Sequence, residues 1–176
     1  MANLNNLEQD IENWDGKSAE QIKKLYRKYA TQENFSSHLV KTLKLPQLQA
    51  GATWLLKAWL ESGNQLAAKE RNGLFKKLSS LETWDAQLHV LQMLPYLEIP
   101  STKTNKSVLP ALEDFVDQCL ISEKKFVRAW AYQGLFEIAR VEPSKRESIE
   151  KLFAQALENE PASVKARIRS LLKEGF

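Results

Sequence analysis

The stretch FVRAWAYQGLFEIA, residues 126–139, decides the fold class of this chain. Its apolar residues Val127, Ala131 and Leu135 follow one another at intervals of four. An α-helix turns once in about 3.6 residues, so this spacing places the three side chains on one face. The stretch therefore predicts a helix with one apolar face.

The same triplet, spaced i, i+4, i+8, recurs along the chain. Its four copies are Leu48, Ala52 and Leu56; Trp84, Leu88 and Gln92; Val127, Ala131 and Leu135; and Val164, Ile168 and Leu172. The copies start 36, 43 and 37 residues apart, and the second departs from the pattern at Gln92. A period of this length is typical of repeat proteins, in which helix pairs too small to bury their own apolar faces stack on one another.

Residues that typically begin or end helices occur along the rest of the chain. Ser18 and Gln21 form the spacing of a capping box, Asn64 can cap a later helix, and Pro95 either kinks a helix or ends it early. No segment shows the strict alternation of a half-buried strand. Only six glycines and six prolines are present, which favours long helices. We predict an all-α chain of roughly ten helices.

The quoted stretch resembles the first helix of a HEAT repeat, with Val127-Arg128 followed by the small residue Ala131. The run SVKARIRSLL, residues 163–172, is similar to the same element, with Val164-Lys165 in place of Val-Arg. The resemblance implies an armadillo-type fold, a right-handed α-α superhelix of about five stacked antiparallel helix pairs. We expect one domain over residues 1–176, with HEAT-like units over 46–175 and irregular N-terminal helices or a cap over 1–45.

Composition indicates a globular domain, since 43% of the 176 residues are hydrophobic and 27% are charged. The formal net charge is +3, with acidic residues concentrated in the first twenty positions and basic residues at the C-terminal end. A net charge of +3 is small for a domain that binds nucleic acid. The N-terminus lacks signal-peptide features, and no apolar stretch is long enough to span a membrane. Cys119 is the only cysteine. These features predict a cytoplasmic protein.

Patterns that would indicate catalysis or metal binding are weak. His38 and His89 lie 51 residues apart, without a cluster of further ligands at metal-binding spacing. Gly16-Lys17-Ser18 lacks the preceding glycine and strand of a phosphate-binding loop. Cys119 stands at an apolar position where a small core residue is expected. We predict no catalytic residue, no metal, no cofactor and no small-molecule substrate.

Trp59 and Trp130 are candidates for a binding surface. Trp54 and Trp59 are five residues apart, about 140° around a helix, so both cannot point into one core. Trp130 falls near the edge of its apolar stripe. Exposed aromatic residues anchor many interfaces, although packing between helices is the alternative for each tryptophan. The candidate binding residues are Trp59, Lys76, Lys77, Arg128 and Trp130.

The prediction for function is a non-catalytic binding or scaffold module that presents a curved surface to a protein partner. Basic residues such as Lys145 and Lys151 alternate with Glu142, Glu147 and other acids, and mixed charge suits a protein better than a phosphate backbone.

Two alternatives stay open. One is a nucleic-acid-binding HEAT-like protein related to the alkylpurine DNA glycosylases, which hold DNA in a basic, tryptophan-lined groove. Trp84-Asp85 and Arg128 with Trp130 are residue types that such a groove uses. The other is a small subunit of a larger complex, which predicts a sizeable exposed apolar patch at one end.

Overall fold

A computed structural model describes residues 4–175, the side chain of Asn5 excepted. The α-helices of this region are α1 (Leu7–Glu12), α2 (Ala19–Tyr29), α3 (Phe35–Thr42), α4 (Pro46–Glu61), α5 (Ala68–Phe75), α6 (Trp84–Met93), α7 (Val108–Leu120), α8 (Lys125–Val141), α9 (Arg146–Asn159) and α10 (Ala162–Glu174). Short 3-10 turns cover Leu4–Asn6, Leu78–Ser80, Leu94–Tyr96 and Pro143–Lys145. No strand occurs between residues 4 and 175, which confirms the all-α prediction.

The helices form two compact units, of which the first ends at Tyr96 and the second begins at Leu97. In the first unit α4 is the central helix, since α1, α2, α3 and α6 pack against it and α5 packs against α3. The boundary predicted near residue 45 therefore lies inside this unit. The helices that precede that boundary bury their apolar residues against α4.

The second unit is built around α8. Helices α7, α9 and α10 all pack against it, and its residues 131–139 are buried without interruption. A helix that is buried on every side lies at the centre of its unit, whereas an amphipathic helix keeps one polar face in solvent. Ala131, at the middle of the predicted apolar triplet, is 0% exposed.

The register predicted for the second triplet is wrong. Trp84 is 46% exposed, whereas the buried positions start two residues later, at Ala86, Val90 and Leu94, all 0% exposed. The large Trp84 dominated the apolar pattern, and the small Ala86 is the residue that fits between packed helices. In the fourth triplet Leu171 is buried in place of the predicted Leu172. The corrected starts lie 38, 41 and 37 residues apart.

The predicted helix ends are confirmed in part. Ser18 Oγ accepts a hydrogen bond from Gln21 N at 3.2 Å, as expected for an N-cap. Asn64 does not cap α5, because its Nδ2 donates back to Trp59 O at the end of α4. Helix α6 ends at Met93, so Pro95 follows the helix instead of kinking it.

A polar residue follows the first buried residue of each triplet and donates to a backbone carbonyl that precedes its own helix. The donor–acceptor pairs are Gln49 Nε2 to Leu43 O (3.0 Å), Gln87 Nε2 to Leu81 O (3.1 Å), Arg128 Nη1 to Ser122 O (2.7 Å) and Lys165 Nζ to Glu158 O (3.0 Å). The acceptor lies six residues earlier in the first three pairs and seven in the fourth. Each of these four helices thus has an equivalent hydrogen bond at its start, in addition to the same spacing of apolar residues.

Two of these donors also reach forward along the chain. Gln49 Nε2 donates to Ser80 O at 2.7 Å, and Gln49 Oε1 accepts from Glu82 N at 2.9 Å. Arg128 Nε donates to the Glu160 carboxylate at 3.1 and 3.2 Å. In each unit, therefore, the start of the central helix is tied to the segment that precedes the next triplet helix.

Candidate binding surfaces

An open cleft of about 670 Å³ lies in the first unit, where the end of α4 faces the turn between α2 and α3. Trp59 and Tyr26 contribute partly exposed aromatic rings to its wall. Phe35, the buried first residue of α3, also lines it. Trp59 and Trp130, the two tryptophans considered for partial exposure, are both partly exposed, and the structure gives Trp59 a concave setting.

Hydrogen bonds hold the rim of this Trp59 cleft in place. Tyr26 Oη and Ser62 Oγ lie 2.9 Å apart, and Asn64 Nδ2 donates to Ser62 Oγ at 2.9 Å. Asn34 also lines the cleft and has a left-handed backbone, φ 63°, which asparagine tolerates better than most residues. The cleft is therefore a defined feature of the first unit, built from two separate segments of chain, residues 26–36 and 59–64.

Both signs of charge line the Trp59 cleft. Arg27 and Glu33 are exposed there. Arg27 is already paired with Glu20, whose carboxylate lies 2.7 Å from Nη2. The cleft thus combines aromatic rings, hydroxyl and amide groups, and opposite charges, without an excess of either sign.

A second candidate surface lies between α8 and α10 in the second unit. The Arg167 guanidinium carbon stands 3.6 Å from the centre of the Trp130 ring. Arg167 Nη2 donates to Gln133 Oε1 at 2.7 Å, and Gln133 Nε2 donates to Glu137 Oε1 at 2.7 Å. Arg140 Nη1 lies 3.5 Å from the other Glu137 oxygen. We call these five residues the Trp130–Arg167 cluster.

The Trp130–Arg167 cluster places polar groups on the most buried helix of the second unit. Gln133 is only 4% exposed and Glu137 7%. Burial raises the pKa of the Glu137 carboxyl, and the hydrogen bond from Gln133 and the charge of Arg140 oppose that rise. Burial also lowers the pKa of Arg167. Buried polar groups cost free energy unless they are paired, so an arrangement of this kind marks a candidate functional surface.

The five predicted binding residues do not form one site. Trp59 lines the cleft of the first unit, whereas Lys76 and Lys77 follow the end of α5 and are not part of its wall. Arg128 and Trp130 are two positions apart on α8, which separates them by about 200° around the helix. Only Trp130 belongs to the second candidate surface.

Arg128 binds groups of its own unit. Besides the Glu160 carboxylate, its guanidinium binds the backbone oxygens of Ser122 and Glu123, the latter at 3.4 Å. The two charged side chains are 19% and 16% exposed. The structure therefore neutralises the charge that was predicted to face a partner.

The shifted pKa values of His89 and Cys119 are explained by burial. His89 Nδ1 lies 3.0 Å from Thr53 Oγ1, and burial lowers the pKa of its imidazole to about 4. Burial raises the pKa of the Cys119 thiol to about 12, which leaves it protonated at neutral pH. Across residues 4–175 no three His, Cys, Asp or Glu side chains are grouped to hold a metal ion.

Exposed apolar side chains gather where α7 turns into α8. Ile121 is 85% exposed and Phe126 is 57% exposed. Lys124 and Lys125 stand between them in the chain. None of the helices within residues 4–175 combines the length and the apolar composition needed to cross a membrane.

Comparison with known proteins identifies no relative, since no family model, no curated protein and no solved structure matches this chain.

Sequence reasoning did not single out Tyr26, Arg167 or Glu137. Tyr26 reaches the Trp59 cleft only because α2 packs beside α4. One signal was present in the decisive stretch: Gln133 and Glu137 are polar residues four positions apart inside an otherwise apolar helix. Such a pair on a central helix has to find partners on a neighbouring helix, and α10 supplies Arg167.

Proposed function

We propose that this chain is a non-catalytic binding module, a stack of HEAT-like helix pairs in a right-handed superhelix that presents its surface to a protein partner. The proposal for the architecture is supported by the four apolar triplets and by the hydrogen bond that follows the first residue of each. Repeat modules of this type bind through surface area rather than through a catalytic constellation.

The observation that carries the proposal for function is the Trp59 cleft. Partly exposed tryptophan and tyrosine rings, set in a concavity with a polar rim, are the residues that most often anchor protein interfaces. The Trp59 side chain has a large apolar surface but only two rotatable bonds, so it loses little conformational entropy on binding. Arg27 and Glu33 add the mixed charge that gives a protein interface its specificity.

The charge distribution favours a protein over nucleic acid as the partner. Many basic side chains are paired with acids inside their own unit, among them Lys28 with Asp10, Lys57 with Glu61, Arg128 with Glu160, Lys145 with Glu113 and Lys151 with Glu147. Phosphate binding requires cations that are free to replace counterions. Lys145 and Lys151, predicted as part of a mixed surface, each have a carboxylate within 2.7 Å.

Affinity capture from a lysate of the source cell tests this proposal, run with and without nuclease at two salt concentrations. The matched variants are Trp59→Ala, inside the cleft, and Trp84→Ala, which changes an exposed tryptophan of the same unit outside it. We expect a defined protein that survives nuclease treatment, is retained by W84A and is lost from W59A.

Two results would count against the proposal. Equal retention by both variants would remove the cleft as the binding site. Recovery of nucleic acid instead, lost steeply as the salt concentration rises, would favour the nucleic-acid-binding alternative. Alkylated DNA would then be the substrate to test.

A further inference from the structure

A cavity of about 200 Å³ lies in the second unit, where α7, α8 and the start of α9 meet. Its apolar wall consists of buried residues of α8 and α9, namely Leu135, Ile138 and Ile149. Pockets for drug-sized ligands and cofactors measure about 300–1,000 Å³. This cavity is therefore too small for such a ligand and has room for one long side chain.

The charged groups of the cavity leave one carboxylate without a cation. Glu113, Asp117 and Lys145 are its charged residues. Lys145 Nζ lies 2.6 Å from Glu113 Oε1, so these two charges compensate each other. Asp117 is exposed to solvent, and no cation in the part of the chain that the structure describes lies within 4 Å of its carboxylate. Helix α7 adds Asp114 and has no basic residue, so the net charge around the cavity is negative.

The α9 side of the cavity does not offset this negative charge. Ser148 lines the cavity, and Leu152 and Gln155 lie on the same side of α9, four and seven positions later. All three residues are uncharged. Lys151, three positions after Ser148, pairs with Glu147 at 2.7 Å. Asp117 therefore supplies the charge that an incoming group meets at the open side of the cavity.

The exposed polar groups of the cavity accept hydrogen bonds. Ser148 Oγ donates its proton to Lys145 O at 2.8 Å, which leaves the lone pairs of this oxygen as acceptors. The Asp117 carboxylate has acceptors only. An arginine guanidinium has several N–H donors and no acceptor, in a planar fork that matches a carboxylate. A lysine ammonium lacks this fork and is more strongly hydrated.

We propose that this cavity receives an arginine side chain of a partner protein, whose guanidinium pairs with Asp117 while its aliphatic stem packs on Leu135, Ile138 and Ile149. Arginine stems pack readily on apolar surface while the charged end stays at its edge. Arginine is also enriched among the residues that dominate the binding energy of interfaces. Acidic residues on α7 repel phosphate groups, so this surface does not suit nucleic acid. The proposal rests on the proposed function in taking a protein as the partner, and it adds a second contact surface.

N-acetyl-arginine amide is the probe for this cavity, and N-acetyl-citrulline amide is its control, because citrulline keeps the shape of the side chain without the charge. Each compound is titrated into the full chain, and the methyl signals of Leu135, Ile138 and Ile149 are followed by ¹³C NMR. Putrescine, titrated in the same way, tests a free amine as the ligand. The variants are Asp117→Asn and, as a matched control on the same helix, Asp114→Asn, which removes an exposed carboxylate outside the cavity. Thermal melts establish that each variant is folded.

We expect the arginine derivative to shift these methyl signals with a dissociation constant of about 1 mM, as is typical of so small a ligand. D117N should raise this constant about threefold or more, and D114N less than about 1.5-fold. Equal affinity for the citrulline derivative, an equal loss in D114N, tighter binding of putrescine, or no saturable shift would each overturn the proposal. A protein captured through the Trp59 cleft would then leave the proposed function standing without this site.

Discussion

Gln49 and Arg128 occupy equivalent positions in the two units. Each follows the first buried residue of a central helix, donates to a carbonyl six residues earlier, and binds a segment between 31 and 33 residues later. The neutral amide of Gln49 binds only backbone groups, whereas the cation of Arg128 binds the Glu160 carboxylate. The same contact is thus made by different chemistry, and the two residues should respond differently to substitution.

Arg128→Ala should lower the free energy of unfolding by about 3 kcal/mol, because it leaves the Glu160 carboxylate partly buried without its cation. Urea denaturation measures the change. The R128A/E160A double variant should be more stable than the sum of the two single losses predicts, since it leaves no unpaired charge behind. Arg169→Ala, at an exposed site, should change stability by less than about 0.5 kcal/mol. Strict additivity of R128A and E160A would contradict the pairing.

Gly51→Ala should destabilise the first unit although alanine is the better helix former. A Cβ at position 51 would lie 2.5 Å from Ile11 Cγ2 and 3.4 Å from Trp14 Cε3, so α1 would have to move away from α4. We expect a loss of about 1–3 kcal/mol, measured by thermal or urea denaturation. Gly73→Ala, whose Cβ would meet Val40 Cγ1 at 3.2 Å, serves as a milder comparison. A G51A variant as stable as wild type would show that the two helices are less closely packed.

Ala131→Asp should destabilise the second unit by several kcal/mol, because the new carboxylate would be buried on α8 without a partner. Ala154→Asp introduces the same side chain at an exposed position of α9 and should have a small effect. The melting temperatures of the two variants give the comparison. A131D with an unchanged melting temperature would contradict the burial of Ala131 at the centre of the second unit.

The stability of the first unit should depend on pH through His89. Its folded pKa of about 4 lies below the value of about 6.5 in an unfolded chain, so the unfolded state binds more protons between these values. The contribution of His89 is complete above pH 6.5 and is lost as the pH falls toward 4. Its full size is about 3.5 kcal/mol at most, since one pKa unit corresponds to about 1.4 kcal/mol.

His89→Asn provides the control for this pH dependence, because its side-chain amide can keep the contact with Thr53 without titrating. Urea unfolding of both proteins at pH 7, 6 and 5 separates His89 from the other groups, which are common to both. Burial is the main cause of the lowered His89 pKa, to which the charge of Lys57 adds and which that of Asp85 opposes. A wild-type chain that loses no more stability than H89N between pH 7 and pH 5 would contradict the prediction.

Much of the fold could be predicted from local pattern. The triplets at Leu48 and Val127 were placed correctly because apolar residues at helical spacing have only one face to present to a core. The triplet at Trp84 was misplaced by two residues. Hydrophobicity alone favours the large side chain, whereas close packing selects the small Ala86.

The candidate surfaces were predicted less completely. Trp59 and Trp130 were chosen from their angular position on a helix, and both are partly exposed. Lys76, Lys77 and Arg128 were chosen from charge alone, and charge does not reveal which acid lies nearby. The Glu160 that neutralises Arg128 stands 32 residues later in the chain.

By itself, then, the sequence determined that the chain is helical, where its apolar faces recur and which tryptophans fall at their edges, because helix periodicity is a local property of the backbone. Which polar side chains meet depends on how the helices pack in three dimensions. Arg167 reaches Gln133 from 34 residues away, and Tyr26 reaches Ser62 from 36. Such contacts depend on how helices pack against each other, so a binding surface exists only once the helices have been brought together.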